Sequence, residues 1–314
     1  MSAKKANHAF LITVICYVGC AYVIALFFPE LGENLLLGNL TCELVVTMPI
    51  LLFALTSKEK LSDFLGFRKI KMSTIGMTAL FTFLSMPTVT LFNLISQLWV
   101  ENAVVSMMDS YQIGQMSFWQ LSFSMVIIAP LFEEIACRGA YYHSYRKAGS
   151  SFGAMLLSAF IFALMHMNLN QAMYAFAIGL LLVMLVEASG SLWTSILYHA
   201  LLNGSQSVMM YIMVKTDPTV FSNQAQAVST DYLLCAIGVY LMLTAITLPA
   251  AWAVLVWISN NEGNNGALSM LWTHKKKDKT LTLSLVIALI LSILAMSGIL
   301  FEWINKLIVW LMAI

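Results

Sequence analysis

Charge is the scarcest property of this chain. Of its 314 residues, 16 are Lys or Arg and 15 are Asp or Glu, so charged side chains make up only 10%. Soluble domains carry about 25%. With 60% hydrophobic residues, the shortfall excludes an ordinary soluble domain. A net charge of +1 and the lack of any basic domain exclude a nucleic-acid partner. The five cysteines (Cys16, Cys20, Cys42, Cys137, Cys235) have spacings that match no zinc or disulfide framework. They read as small hydrophobes within apolar segments. The HExxH signature is missing, and no internal repeat is evident. A secretory signal is excluded too. Lys4 and Lys5 precede an apolar run of about 20 residues, whereas a signal h-region has about 7–15. The "YVGC" ending at Cys20 begins with Tyr17 and sits inside that run, which reads as a retained first membrane helix.

What is present is a series of long apolar runs. A helix of about 20 such residues crosses a bilayer core. Candidate spans lie at about 9–28, 36–56, 74–96, 117–146, 152–167, 171–188, 191–213, 232–258 and 281–304. The expectation is an all-α, polytopic membrane helical bundle with about eight to nine transmembrane helices. Residues 1–314 form a single integral-membrane domain, with the chemistry on helices within 117–213. Basic residues set the orientation. Lys4, Lys5, Lys58, Lys60, Arg68, Lys69, Lys71, Arg146, Lys147 and the run Lys275 to Lys279 all fall on one side. The opposite connections carry Glu30, Glu33, Glu101, Asp109 and Asp217, with Lys215 as the basic exception. This places the N-terminus in the cytoplasm. The C-terminus is external with nine spans and cytoplasmic with eight.

Three neighbouring spans carry side chains that lipid excludes. The fourth contains Glu133, Glu134 and Arg138 in "EEIACR"; the fifth contains Phe162 and His166 in "FALMH"; the seventh contains His199 and Asn203 in "HALLN". Counted from the basic face at 1.5 Å per residue, Glu133, His166 and Asn203 all lie about 20 Å deep. Glu134 and Arg138 are i,i+4 and can pair on one face. Glu133 is turned about 100° away, free to act on water as a general base. His199 and Asn203 also share a face, as do Phe162 and His166, whose ring can floor a pocket under the imidazole. His8, His143 and His274 lie at span ends or in loops and receive no role. Glu187 is expected to end a helix at the cytoplasmic surface.

The ordered trio EExxxR, FxxxH and HxxxN resembles the CAAX protease and bacteriocin-processing family of intramembrane endopeptidases, the type II CAAX prenyl endopeptidase group. The three motifs lie within about 70 residues, each complete. The resemblance implies hydrolysis of a peptide bond in a membrane-associated peptide or protein substrate, within or beside the lipid bilayer. It implies that Glu133 and His166 activate water and that His199 and Asn203 support the oxyanion, with Glu134, Arg138 and Phe162 in support. No cofactor is favoured. Zn²⁺ is the alternative, with Glu133, His166 and His199 as ligands and a water position left open. The expected location is a bacterial plasma membrane. Two other function classes use such a cluster: a membrane transporter, and a non-catalytic immunity or regulatory protein that binds a peptide.

Overall fold

A computed structural model describes residues 1–57, 59–102, 117–217, 229–272 and 280–312. Lys58, Asp109, His274 and the run Lys275 to Lys279 lie outside the described residues. Regular structure among the described residues is entirely helical. The longer helices are α1 (Ala3–Phe27), α2 (Leu35–Leu55), α3 (Met72–Ser96), α4 (Phe118–Ala148), α5 (Ser151–Met165), α6 (Leu169–Ser189), α7 (Leu192–Thr216), α8 (Thr230–Asn261), α9 (Leu283–Met296) and α10 (Ile299–Met312). Polar residues mark their starts. The side chains of Ser2, Asn34, Ser117, Ser150, Asn168, Ser191, Ser229 and Thr282 each accept a backbone N–H from the first turn, satisfying donors that have no partner within the helix.

Each of the nine predicted segments falls on helix, and the chain is a polytopic helical bundle. Six helices (α1, α2, α3, α4, α6 and α8) are long and apolar enough to cross a membrane. The other three segments depart from a simple span in different ways. Helix α5 has 15 residues, about 22 Å, and stops short of a hydrocarbon core of about 30 Å. Helix α7 has 25 residues, but His199, Asn203, Gln206 and several serines dilute its apolar character. The last segment is bent by 83° between α9 and α10. The break falls at Ser297 and Gly298, where Gly298 takes the left-handed φ of 77°, which costs glycine nothing.

The connections expected on the cytoplasmic side meet at one end of the bundle. Lys5 Nζ donates to Thr56 Oγ1 at 2.9 Å. Lys147 pairs with Glu59 at 2.7 Å. Asn7 donates to Thr280 O at 2.8 Å and to Thr282 Oγ1 at 2.9 Å. Glu187 lies in the last turn of α6, as expected, yet it is largely buried. There it accepts from Tyr142 at 2.9 Å and pairs with Arg146 at 2.7 Å.

Small residues bring the inner helices together. A Cβ on Gly179 of α6 would lie 2.8 Å from both Cα and Cβ of Ala159 on α5. Such close backbone approach is a favoured device where hydrophobic burial cannot drive association. Helix α4 packs against α2, α5 and α7, and α3 packs against α6, α7 and α8. All three motif-bearing helices are therefore interior neighbours.

Candidate active site

The site begins with irregularity in α4. Two stretches, Phe123–Ile128 and Ile135–Tyr142, wind as π-helix around the α-helical turn Ala129–Glu134. Pro130 explains the first. It has no N–H and its ring collides with a carbonyl of the preceding turn. In the widened stretch the Ala129 N–H reaches Ser124 O. The Met125 carbonyl then has no backbone donor five residues on, because that residue is Pro130. Asn203 of α7 supplies the bond, with Nδ2 donating to Met125 O at 2.9 Å. Asn39 of α2 similarly donates to Ser124, reaching its carbonyl oxygen at 3.3 Å and its Oγ at 2.9 Å. The π-bulge thus exposes polar backbone that α2 and α7 satisfy, and this fixes both helices against α4. Such bulges are frequent at functional sites.

The adjacent turn carries the paired glutamates. Glu134 is fully buried and accepts from Arg138 Nη1 at 2.8 Å, with Arg138 also fully buried. The i,i+4 pairing expected from the sequence is present. The same oxygen of Glu134 lies 3.0 Å from His199 Nδ1. Because a carboxylate can only accept, Nδ1 carries the hydrogen. The other ring nitrogen, Nε2, lies 3.8 Å from Oε2 of Glu133. His199 therefore bridges the two glutamates, one at each nitrogen. Glu133 is the more open of the pair, with its side chain 18% exposed.

His166 caps the C-terminal end of α5. Its Nδ1 donates to Phe162 O at 2.8 Å, which leaves Nε2 as the free acceptor. The next residue, Met167, has a φ of 48°. Left-handed backbone at a non-glycine residue is uncommon and concentrates at functional sites. Phe162 links the motifs. Its ring lies edge-on to His166 at 4.8 Å and to His199 at 5.9 Å, and the Arg138 guanidinium sits 4.1 Å from its centre. A cation over an aromatic face is favourable, most of all when desolvated. All seven residues singled out from the three motifs therefore sit on neighbouring elements. Contacts tie Glu133, Glu134, Arg138, Phe162, His166 and His199 together, while Asn203 holds the adjoining bulge.

One residue outside the motifs joins them. Glu43 lies near the middle of α2 and is only 5% exposed. Its carboxyl lies close to that of Glu133. The sequence signal was available: Glu43 interrupts the apolar run "TCELVVTMPILLFAL", as the motif residues interrupt theirs. Several polar atoms of the cluster have no other protein partner, namely Glu43 Oε2, Glu133 Oε2, Glu134 Oε2, and Arg138 Nε and Nη2.

Glu133, His166 and His199 do not form a ready-made ligand set. Among the described residues, no group of three or more His, Cys, Asp and Glu is arranged to hold a metal ion. His199 directs one nitrogen to Glu134 and His166 directs one to a backbone carbonyl.

No curated protein and no solved structure gives a significant match to the chain. Residues 115–205, which carry all three motifs and the helices that bring them together, match the family described as type II CAAX prenyl endopeptidase, Rce1-like.

Proposed function

We propose that the chain is an intramembrane endopeptidase that cleaves a membrane-associated peptide or protein, with Glu133 activating the water. The family match supports a CAAX-type protease. The observation that carries the finer reading is His199 set between the buried Glu134 at 3.0 Å and the more open Glu133 at 3.8 Å. The longer separation exceeds a direct hydrogen bond and leaves Glu133 the less tied of the two carboxylates.

In this reading Glu133 takes a proton from water while the oxygen attacks the scissile carbonyl carbon. His166 offers its free Nε2 to the same water. The carbonyl becomes an oxyanion, which needs donors aimed at it. Asn203 spends one amide hydrogen on Met125 and has a second to offer. His199, oriented by its Nδ1–H bond to Glu134, supports the oxyanion from the Nε2 side of its ring. The tetrahedral intermediate collapses, the C–N bond breaks, and Glu133 returns its proton to the leaving nitrogen. The products are a carboxylic acid and an amine. Glu134 and Arg138 hold His199 in place, and the Phe162 ring covers the Arg138 guanidinium. No step passes through a metal.

The proposed setting is a plasma membrane, bacterial by expectation, with the lysine- and arginine-bearing end of the bundle in the cytoplasm. Comparative mass spectrometry of small membrane and secreted peptides tests the function, using cells that carry the native chain or Glu133→Gln. Products should vanish and precursors accumulate in the variant. Unchanged peptides from a folded variant would overturn the protease reading. Solute or proton flux in vesicles would then point to transport, and an intact phenotype to a peptide-binding regulator.

A further inference from the structure

We infer that α10 lies along the membrane surface instead of completing a span. Its stripe of Trp303, Leu307 and Trp310 is set into the headgroup–acyl boundary of the leaflet opposite the lysine-bearing end of the bundle. Helix α9 has 14 residues, about 21 Å, and packs against α1. The 83° bend after it turns α10 nearly square to its direction. A helix turned that far gains almost no depth when α9 follows the bundle axis.

Helix α1 supplies the ruler. At the lysine-bearing end its Asn7 donates to Thr280 O and Thr282 Oγ1, where α9 begins. Tyr22 lies about 22 Å further along α1. Its hydroxyl donates toward Phe301 O and Asn305 Oδ1 of α10, each at 3.0 Å, and its ring lies 5.8 Å from that of Phe301. Both ends of α9 are thus tied to α1, at levels about 22 Å apart. That falls about 8 Å short of a hydrocarbon core of about 30 Å. Interfacial helices sink about 5–10 Å into the boundary, so the shortfall is the depth such a helix takes. Past Tyr22, α1 still presents Val23, Leu26 and Phe27 as exposed apolar side chains. Lipid therefore continues beyond the level of α10.

The residues of α10 divide into three faces. Phe301, Ile304 and Ile308 are half-buried at i, i+3 and i+7. Trp303, Leu307 and Trp310 form an outward stripe at i, i+4 and i+7, and each is more than half exposed. On the third face Glu302 and Lys306 pair at 2.5 Å, which neutralises both charges where solvation is reduced. Tryptophan is enriched where an apolar body meets a wet edge, as at the membrane–water interface. One face for protein, one for acyl chains and one for headgroups is the division an interfacial helix requires.

Nitroxide depth measurements test the inference on the cysteine-free full chain. The chain is reconstituted in vesicles of phosphatidylethanolamine and phosphatidylglycerol. Single labels at Trp303→Cys, Leu307→Cys and Trp310→Cys are read by their relaxation with oxygen and with a nickel chelate. The three depths should agree within about one helical turn, 5 Å, and fall near the boundary. Labels at Ile287→Cys and Ile293→Cys on α9 should differ by about 9 Å. If α10 completed a span, the labels at positions 303 and 310 would differ by about 10 Å, and the inference would fail. Equal depths along α9 would also overturn it, because the bend would then turn α10 into the bilayer. Labels on α10 shielded from both reagents would place protein there, such as a second copy of the chain. Labels as open to the chelate as in bulk water would place the stripe outside the membrane. Either result overturns the inference. Should a tryptophan variant fail to fold, Ile299→Cys and Leu307→Cys, about 12 Å apart along α10, supply the same comparison.

Discussion

His199 Nδ1 lies 3.0 Å from Oε1 of Glu134, the oxygen that also accepts from Arg138 at 2.8 Å. One carboxylate oxygen thereby joins α4 to α7 and serves two donors. His199 is set by a partner that is itself locked within α4, and the imidazole has little freedom to turn away from Glu133.

This arrangement separates the two adjacent glutamates by experiment. Glu133→Gln should abolish peptide cleavage and leave thermal stability close to native. Glu134→Gln and Arg138→Ala should lower both, because breaking a buried pair strands a charge at a cost of about 3–5 kcal/mol. Thermal unfolding in detergent, read beside cleavage, checks this. A Glu134→Gln protein of native stability would contradict the assigned division.

Asn203 should behave as a residue with two duties. Its bond to Met125 O satisfies a carbonyl whose desolvation costs about 1–3 kcal/mol if left unpaired. The loss of an oxyanion donor costs about 10²–10³ in kcat. Asn203→Ala should therefore lose stability by that margin and still turn over measurably, whereas Glu133→Gln should not. Single-turnover cleavage on stability-matched samples separates the two effects. Full activity in Asn203→Ala would remove it from the mechanism.

Metal dependence is open to direct measurement. The purified protein should resist prolonged chelation and contain no stoichiometric zinc. Loss of turnover on chelation, restored by Zn²⁺, would replace the proposed mechanism and make Glu133, His166 and His199 the ligands to examine.

The proposed orientation puts the end of the bundle with the Lys5–Thr56 and Lys147–Glu59 contacts in the cytoplasm. On a cysteine-free background, a cysteine placed at Gly149 should resist an impermeant reagent in intact cells and react after permeabilisation. Strong labelling in intact cells would invert the topology.

The sequence carried the helical segments clearly, and the contacts within the candidate site where single helices sufficed. Glu134 with Arg138, and Phe162 with His166, are i,i+4 neighbours whose meeting needs only helical geometry. Five of the seven motif residues were legible because ionisable groups in apolar runs are rare, and Phe162 and Asn203 by their i,i+4 spacing from the two histidines. Glu43 carried the same signal but belongs to no spaced motif. Its meaning depends on α2 facing α4, which is a tertiary fact. The tie between Asn203 and Met125 was hidden for another reason: regular spacing of 3.6 residues per turn leaves no free carbonyl there, and the π-bulge creates one. The position of His166 at the end of α5 was legible, since the expected span closes at 167 and the helix stops at Met165. The break at Gly298 was hidden inside a run that composition treats as one span.

The proline in the π-bulge makes positions 130 and 203 partners, although the two side chains serve different ends. A residue with an N–H at position 130 would compete with Asn203 for the Met125 carbonyl. Pro130→Ala should therefore loosen the carboxamide, and the effect should depend on whether Asn203 is present. A double-mutant cycle on Pro130 and Asn203 should show non-additivity in stability. The missing hydrogen of a proline would then act at a distance, as a constraint on the mobility of an amide contributed by another helix.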